Sequence, residues 1–478
     1  MAQTTHSSAG STPATGFKQS LGLLDGTMLV AGSMIGSGIF IVSASMSQQL
    51  GSTGWLIATW VLTGLLTLTA AVSYGELSGM FPKAGGQYVY LREAYSPLLG
   101  FLYGWSFFAV IQTGTIAAVA VAFANFTAYL VPGLSTVLLQ AGFIVITGKS
   151  ALAVASVILL TYVNTRGVKE GKFIQTTFTT IKLLSLFGLI AFGLIMAAKA
   201  DIWHANWKDA WTMHNYNATS GIWETLAGLG ALGAISGAMV GSLFSSDAWN
   251  SITFVAGEIK RPERNIGLSL LFGTLIVTLI YVSANLMYVS VLSLHDIAGA
   301  KDGRVAVAVA ERIFGGTGGI IIAVMIMIST FGCNNGLILS GARVYYTMAQ
   351  DGLFFRKAGT LNKNGVPAFA LWIQCLWTCL LCLSGGYNAL LTYVIFVVLI
   401  FYILTLIGIF ILRRKSPNAP RPYKAFGYPV LPILYCILAA VITVCLFIYQ
   451  PTQTWPGALI VVSGIPIYYL ALRKRERV

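Results

Sequence analysis

The stretch Gly32-Ser33-Met34-Ile35-Gly36-Ser37-Gly38-Ile39-Phe40 decides the fold of this chain. It stands inside an apolar run over residues 21–46, long enough to cross a bilayer, which takes roughly 20 residues. Three glycines in seven residues weaken a helix there, because glycine loses the most backbone freedom on ordering. Two readings stand side by side. Gly32 and Gly36 have the GxxxG spacing that lets two helices approach closely. Alternatively the segment is unwound and turns its backbone groups toward a polar ligand at mid-membrane. A phosphate-loop reading of Gly36-Ser37-Gly38 lacks the strand that should precede it.

A counterpart lies within the run 222–256: Gly241-Ser242-Leu243-Phe244-Ser245-Ser246-Asp247-Ala248-Trp249-Asn250. Glycine, serines, an aspartate and an asparagine at mid-span do not suit a lipid-facing helix. Outward from these two stretches, further apolar runs fall at 54–79, 98–131, 150–164, 173–198, 266–292, 317–348, 367–385, 389–412, 429–449 and 457–472. The total is about twelve spans, and the two interrupted ones are the first and the sixth. A five-span offset between breaks is the pattern of inverted repeats of five helices with a site between the breaks. The repeats are then 18–198 and 222–412, followed by two further helices over 429–472. Residues 1–17, rich in Ser, Thr and Ala, read as a disordered cytoplasmic tail.

Composition agrees with an all-α membrane protein. The 478 residues are 56% hydrophobic and only 9% charged, against roughly 25% charged in a soluble domain. In hydrocarbon every backbone N–H needs an internal partner, so the runs are helices. The short alternating segments of a β-barrel are absent. A net charge of +14 would point to nucleic acid in a soluble protein. Here the basic residues sit between spans. Lys149, Lys199, Lys208, Lys301, Arg304 and Arg312 fall on one side, Lys182 within a span, and all other Lys and Arg residues on the opposite side with both termini. That asymmetry predicts an even span count and cytoplasmic termini in an inner or plasma membrane.

All six cysteines fall inside predicted spans, so no disulfide framework is expected. The CxxC of Cys379 and Cys382 is read as helix packing. No metal-ligand cluster, nucleophile–base pair or phosphate loop stands out, so neither a cofactor nor a metal nor an enzymatic activity is expected. The outer loop 199–221 carries Trp203, Trp207 and Trp211 at interfacial spacing, and Asn217-Ala218-Thr219 is a glycosylation sequon.

Few charges lie deep. Lys182 sits about ten residues into the fifth span, too deep for its ammonium to snorkel to water, and marks a structural or coupling role. Its ammonium can bridge the unwound part of span 1 and a hydroxyl of span 8, in place of a sodium ion. Asp247 either faces a cargo side chain and favours a cation, or caps the second half of the broken helix. Glu258 reads as a latch with Lys260 and Arg261, and Glu76 as a partner for a cytoplasmic Arg or Lys. Phe244, an aromatic among polar neighbours at mid-span, suits a lid over cargo. Unwound N–H groups hold a carboxylate and unwound carbonyls an ammonium, so the two breaks suit a zwitterionic α-amino acid.

Five segments carry a resemblance. They are GSMIGSGIF (32–40), FPKAGGQYVYLREAYSP (81–97), TIKLLSL (180–186), FSSDAWNSITFVAGEIKRPERN (244–265) and STFGCNNGLILSGARVYYTMAQDGLFF (329–355). With them the chain resembles the amino acid–polyamine–organocation (APC) superfamily, and within it the L-type amino acid transporter branch. The resemblance implies a leucine-transporter-type fold and sodium-independent secondary transport by alternating access, as exchanger, uniporter or proton symporter. It implies that Met34, Gly36, Ser37, Gly38, Phe244, Asp247 and Asn250 contact substrate. The Ser37 and Gly38 backbone would hold the carboxylate, and the Met34 and Phe244 carbonyls the amino group. Phe244 would be the outer gate. Lys182 would stand in for a cation, with Ser329 as its span 8 partner. Two departures matter. Residues 131–149 hold no cysteine, so a disulfide-linked heavy chain is not expected. Asp247 occupies a position that is small or serine in several members with neutral substrates, which opens the charge of the cargo. The competing readings are a polyamine or other amine as cargo, and a nutrient sensor, which would need a long cytoplasmic extension.

Overall fold

The first span is indeed two helices. α1 (Leu23–Met34) ends at Ile35, whose ψ of 87° leaves the helical region, and α2 (Gly38–Leu50) begins three residues later. The computed structural model of the chain describes residues 19–141, 144–217, 222–384 and 387–475. The expected tail, and Ala218 and Thr219 of the sequon, lie outside the described residues.

Downstream, α3 (Thr53–Met80) starts where the Ser52 side chain accepts the Trp55 N–H, and α4 (Gln87–Ala94) is a short helix in the connecting loop. The third span is α5 (Pro97–Ser106), a π-helical turn over Phe107–Ile111, and α6 (Gln112–Leu130). A two-stranded hairpin, β1 (Val137–Ala141) with β2 (Ile144–Thr147), then leads into α7 (Gly148–Arg166) and α8 (Val168–Phe192). The outer loop holds α9 (Ala200–Trp207) and a second hairpin, β3 (His214–Asn217) with β4 (Ile222–Thr225).

The sixth span therefore starts later than the apolar run indicates, because residues 222–225 are paired as strand. It comprises α10 (Gly228–Ser245) and the one-turn α11 (Ser251–Phe254). α12 (Pro262–Val291), the short α13 (Leu294–Ala298) and α14 (Val305–Gln350) follow, and α14 turns sharply at Gly315, which lies at φ 69°. Only a residue without Cβ takes that conformation at little cost. The last helices are α15 (Ala368–Ser384), α16 (Tyr387–Lys415), α17 (Val430–Tyr449) and α18 (Pro451–Arg475).

Ten spans among the described residues are long and apolar enough to cross a membrane, α1 and α2 counting together as one. α15 is shorter, 17 residues or about 25 Å of helix, and α18, with Pro456 and Pro466 in its interior, lies outside that set of ten. The packing brings α2 against α10, α3 against α12, α6 against α14 and α7 against α15. Each pair joins a span to the one five later. Small residues make these approaches possible: a Cβ at Gly64 of α3 would fall within the Thr278 side chain of α12.

Three ion-pair groups tie the basic end of the bundle together. Glu258, just past α11, accepts from Arg343 Nε of α14 at 3.0 Å with both side chains buried. This corrects the expected latch with Lys260 and Arg261. The partner is 85 residues away in sequence, where no local spacing points to it. Glu76 at the end of α3 is fully buried and accepts from Arg413 at 2.7 and 2.9 Å and from the Ala425 N–H at 2.7 Å, with Arg421 at 3.4 Å. Asp351 accepts from Tyr88 OH at 2.7 Å and pairs with Arg92 of α4. Breaking a buried pair by removing one partner costs about 3–5 kcal/mol.

Candidate functional site

The two helix breaks face one another in the middle of the bundle. At the first, a helix interrupted after Met34 leaves carbonyls without their usual i+4 donors. Lys182 Nζ of α8 donates to Gly32 O and Ile35 O, each at 2.7 Å, and the residue is fully buried. Ser329 Oγ of α14 points at the same Ile35 carbonyl at 3.4 Å and at Gly36 O at 3.5 Å. Lysine and serine thus meet the unwound segment together, through a shared acceptor. Cys333 Sγ adds a contact to Ser33 O at 3.1 Å.

Tyr281 of α12 joins the two breaks. Its hydroxyl lies 3.0 Å from Met34 O and 3.0 Å from Ser245 O. Nearby, Ser37 Oγ and Tyr387 OH are 2.9 Å apart, and the Phe244 ring meets the Tyr387 ring edge-on at 6.2 Å. Gly38 is held so close to α10 that a Cβ would run into the Ser245 side chain, and a Cβ at Gly36 would meet Cys333 Sγ at 3.1 Å. Close packing and unwinding, opposed as readings of the glycine motif, therefore coexist. The first-turn N–H groups of α2, which starts at Gly38, have no acceptor within that helix.

At the second break the chain runs through Ser246–Asn250. Ala248 sits at φ 62°, a left-handed conformation that costs an L-residue about 1–2 kcal/mol. Surrounding bonds hold it there: Ser246 N–H to Ser242 O at 3.0 Å, Asp247 N–H to Phe244 O at 3.2 Å, and Ser251 N–H to Ala248 O at 3.1 Å. Asp247 is buried and its Oδ1 accepts from Tyr402 OH of α16 at 2.6 Å. The residue that caps α11 is Asn250, and it makes no side-chain cap bond. Asn250 instead donates to Gln87 Oε1 at 3.2 Å, and Gln87 donates to Thr405 Oγ1 at 3.0 Å.

Two small cavities flank the Asp247–Tyr402 pair. One is lined by Gln87, Gln112, Asp247, Asn250 and Tyr402 among others, and the second by Thr67, Ser246, Asp247 and Tyr435. Asp247 and Asn250 thus line the first cavity, whereas Met34, Gly36, Ser37, Gly38 and Phe244 do not line it. Sequence reasoning missed Tyr281, Tyr387, Tyr402 and Gln87. The tyrosines carried no signal, because an isolated aromatic in an apolar span looks like packing. Gln87 follows Gly85 and Gly86, both at positive φ, a pair that marks a shaped turn and could have singled it out. Among the described residues no cluster of His, Cys, Asp or Glu is placed to hold a metal.

An apolar helical bundle with two facing interrupted helices and a polar interior defines a multi-pass membrane transporter. A model of the amino acid permease family matches residues 21–472. The chain is 30% identical to the Large neutral amino acids transporter small subunit 2 of Mus musculus, over 95% of this chain and 81% of that protein. It is 30% identical to the Serine/threonine exchanger SteT of Bacillus subtilis, over 96% and 98% of the two chains. It is 28% identical to the Asc-type amino acid transporter 1 of Mus musculus, over 96% and 82%. The chain belongs to the amino acid permease family of the APC superfamily.

Proposed function

We propose that this protein is a sodium-independent secondary transporter of L-amino acids that works by alternating access as an exchanger, uniporter or proton symporter. The observation that carries the reading is the Lys182 ammonium, 2.7 Å from two carbonyls freed by the first helix break. A fixed cation fills the place where an unwound helix would otherwise bind a sodium ion.

The proposed site uses both breaks. The amides at Ser37 and Gly38, at the α2 N-terminus, receive the carboxylate, with Gly36 beside them. The Met34 and Phe244 carbonyls receive the amino group, and Phe244 with Tyr387 closes the site from one side. Asp247 and Asn250 face the cargo side chain. The pairing of spans five apart supports a pair of five-helix repeats over 18–198 and 222–412, with helices 11 and 12 over 429–472. A set of about twelve spans, with α15 and α18 included, and the one-sided distribution of basic residues support cytoplasmic termini. The cell membrane is the proposed location. Loop 131–149 has no cysteine, which supports a chain that works without a disulfide-linked heavy chain. A carrier of this design binds and releases its cargo chemically unchanged, so no enzymatic activity and no cofactor belong to the proposal.

A second reading, transport of an amine without a carboxylate, is favoured by Asp247, whose carboxylate has no basic side chain within ion-pair distance among the described residues. Uptake by the purified protein in sodium-free liposomes separates the two. Saturable uptake blocked by L-amino acids and untouched by their decarboxylated amines supports the main reading. Competition by the amines alone replaces it with the second.

A further inference from the structure

The two hairpins at the end of the bundle away from the ion-pair groups differ in kind. In the first, Val137, Leu138 and Leu139 are 53, 62 and 55% exposed, and Val145 on the facing strand is 41% exposed. A ribbon with one packed side exposes alternate residues, whereas here three successive apolar side chains stand open. Free in water, such a surface would be an association hazard.

Its position says what covers it. β2 ends at Thr147, whose side chain caps α7 by accepting the Ser150 N–H at 3.2 Å. α7 has 19 residues, about 28 Å of helix, against roughly 30 Å of hydrocarbon. Its first turn therefore stands at the hydrocarbon boundary, and the hairpin cannot rise far from it. β2 also packs beside α7 and α15, whose outward residues Ile158, Leu159, Leu376 and Leu380 are exposed apolar groups on spanning or apolar helices. The hairpin surface continues that belt. A two-stranded ribbon leaves backbone N–H and C=O groups unpaired along both outer edges. It cannot sink into hydrocarbon, but those groups are satisfied at headgroup depth. Lys149, one residue past the start of α7, brings a cation to the level of lipid phosphates.

We propose that the β1–β2 hairpin is a membrane-interface element that lies along the headgroup–acyl boundary, with phospholipid as its partner. The second hairpin is the built-in contrast. It carries Asn215 and Glu224, both exposed, and it packs against α2 and Gly51 over the bundle.

The unmodified protein in liposomes containing a phospholipid with a photoactivatable diazirine near the top of its acyl chain tests this. Irradiation followed by mass spectrometry should place lipid adducts on residues 137–147 at the level found on α15, with residues 214–225 of the second hairpin at background. A Leu138→Gln, Leu139→Gln variant should lose the hairpin adducts while amino acid uptake and the α15 adducts persist. Background labelling of 137–147 in the unmodified protein overturns the proposal, whether water or a second copy covers the hairpin. Unchanged hairpin labelling in the double variant does so as well. Uptake is read separately, so failure of the transport reading is distinguishable from failure of this one.

Discussion

The two helix breaks do different work with the same device. At the first, the polar groups on offer are backbone carbonyls, and side chains from three other helices, Lys182, Tyr281 and Ser329, reach in to hold them. At the second, the backbone is held largely by its own turns. The side chains Asp247 and Asn250 reach out to α16 and α4 and line a cavity. One break presents main chain, which is common to every amino acid. The other presents side chains, which can discriminate. On the proposed transport reading, the difference would split recognition of the invariant and the variable part of a cargo between two segments of one site.

The largest effect that would break this comparison comes from Lys182→Ala. It strips the buried Gly32 carbonyl of its side-chain donor, at about 1–3 kcal/mol, and leaves the Ile35 carbonyl only the 3.4 Å contact from Ser329, so uptake should fall by about a hundredfold for every cargo while the protein still reaches the membrane. Near-normal uptake would remove the lysine from the first break. Gly38→Ala should be next. The new methyl has no room beside Ser245, and overpacking of this kind costs about 1–3 kcal/mol. A thermal-stability assay in detergent should show the loss, along with reduced uptake of all substrates.

Asp247→Ser sharpens the contrast instead of removing it. It should depress uptake of cationic amino acids roughly tenfold, the equivalent of about 1.4 kcal/mol, and leave neutral ones nearly unaffected, as read by competition. Equal losses for both would mean that Asp247 serves the fold of the break. The smallest effect is expected from Tyr387→Phe. It removes one hydroxyl opposite Ser37 Oγ, worth about 0.5–1.5 kcal/mol, and should raise the apparent KM for all substrates a few-fold.

How much of this was legible depended on whether a residue breaks a local rule. Glycines in an apolar run, polar residues at mid-span and a lysine deep in a helix each violate the pattern of a lipid-facing helix. They located both breaks to within a few residues. Groups that obey local rules stayed silent until the helices were brought together. Tyr281 looks like any tyrosine in a span, yet it touches both breaks. Glu258 sits beside Lys260 and Arg261 in sequence, yet the chain turns so that Arg343 is its partner. Helix rotation decides such pairings, and nothing in a single span's periodicity reports the rotation of its neighbours. The start of the sixth span was misplaced for a related reason. Ile222 and Trp223 are apolar enough to extend a helix, but pairing with β3 draws them into a hairpin.

The cage around Glu76 has a consequence for how the chain is made. Its carboxylate is synthesised early, while Arg413 and the Ala425 amide follow 337 and 349 residues later. At about 5–20 residues per second, the ribosome takes roughly 15–70 s to deliver them. During that interval the end of α3 carries an acid whose eventual burial has no counter-charge. A chain truncated before Arg413 would keep that defect permanently, at the cost of a buried acid stripped of its partner.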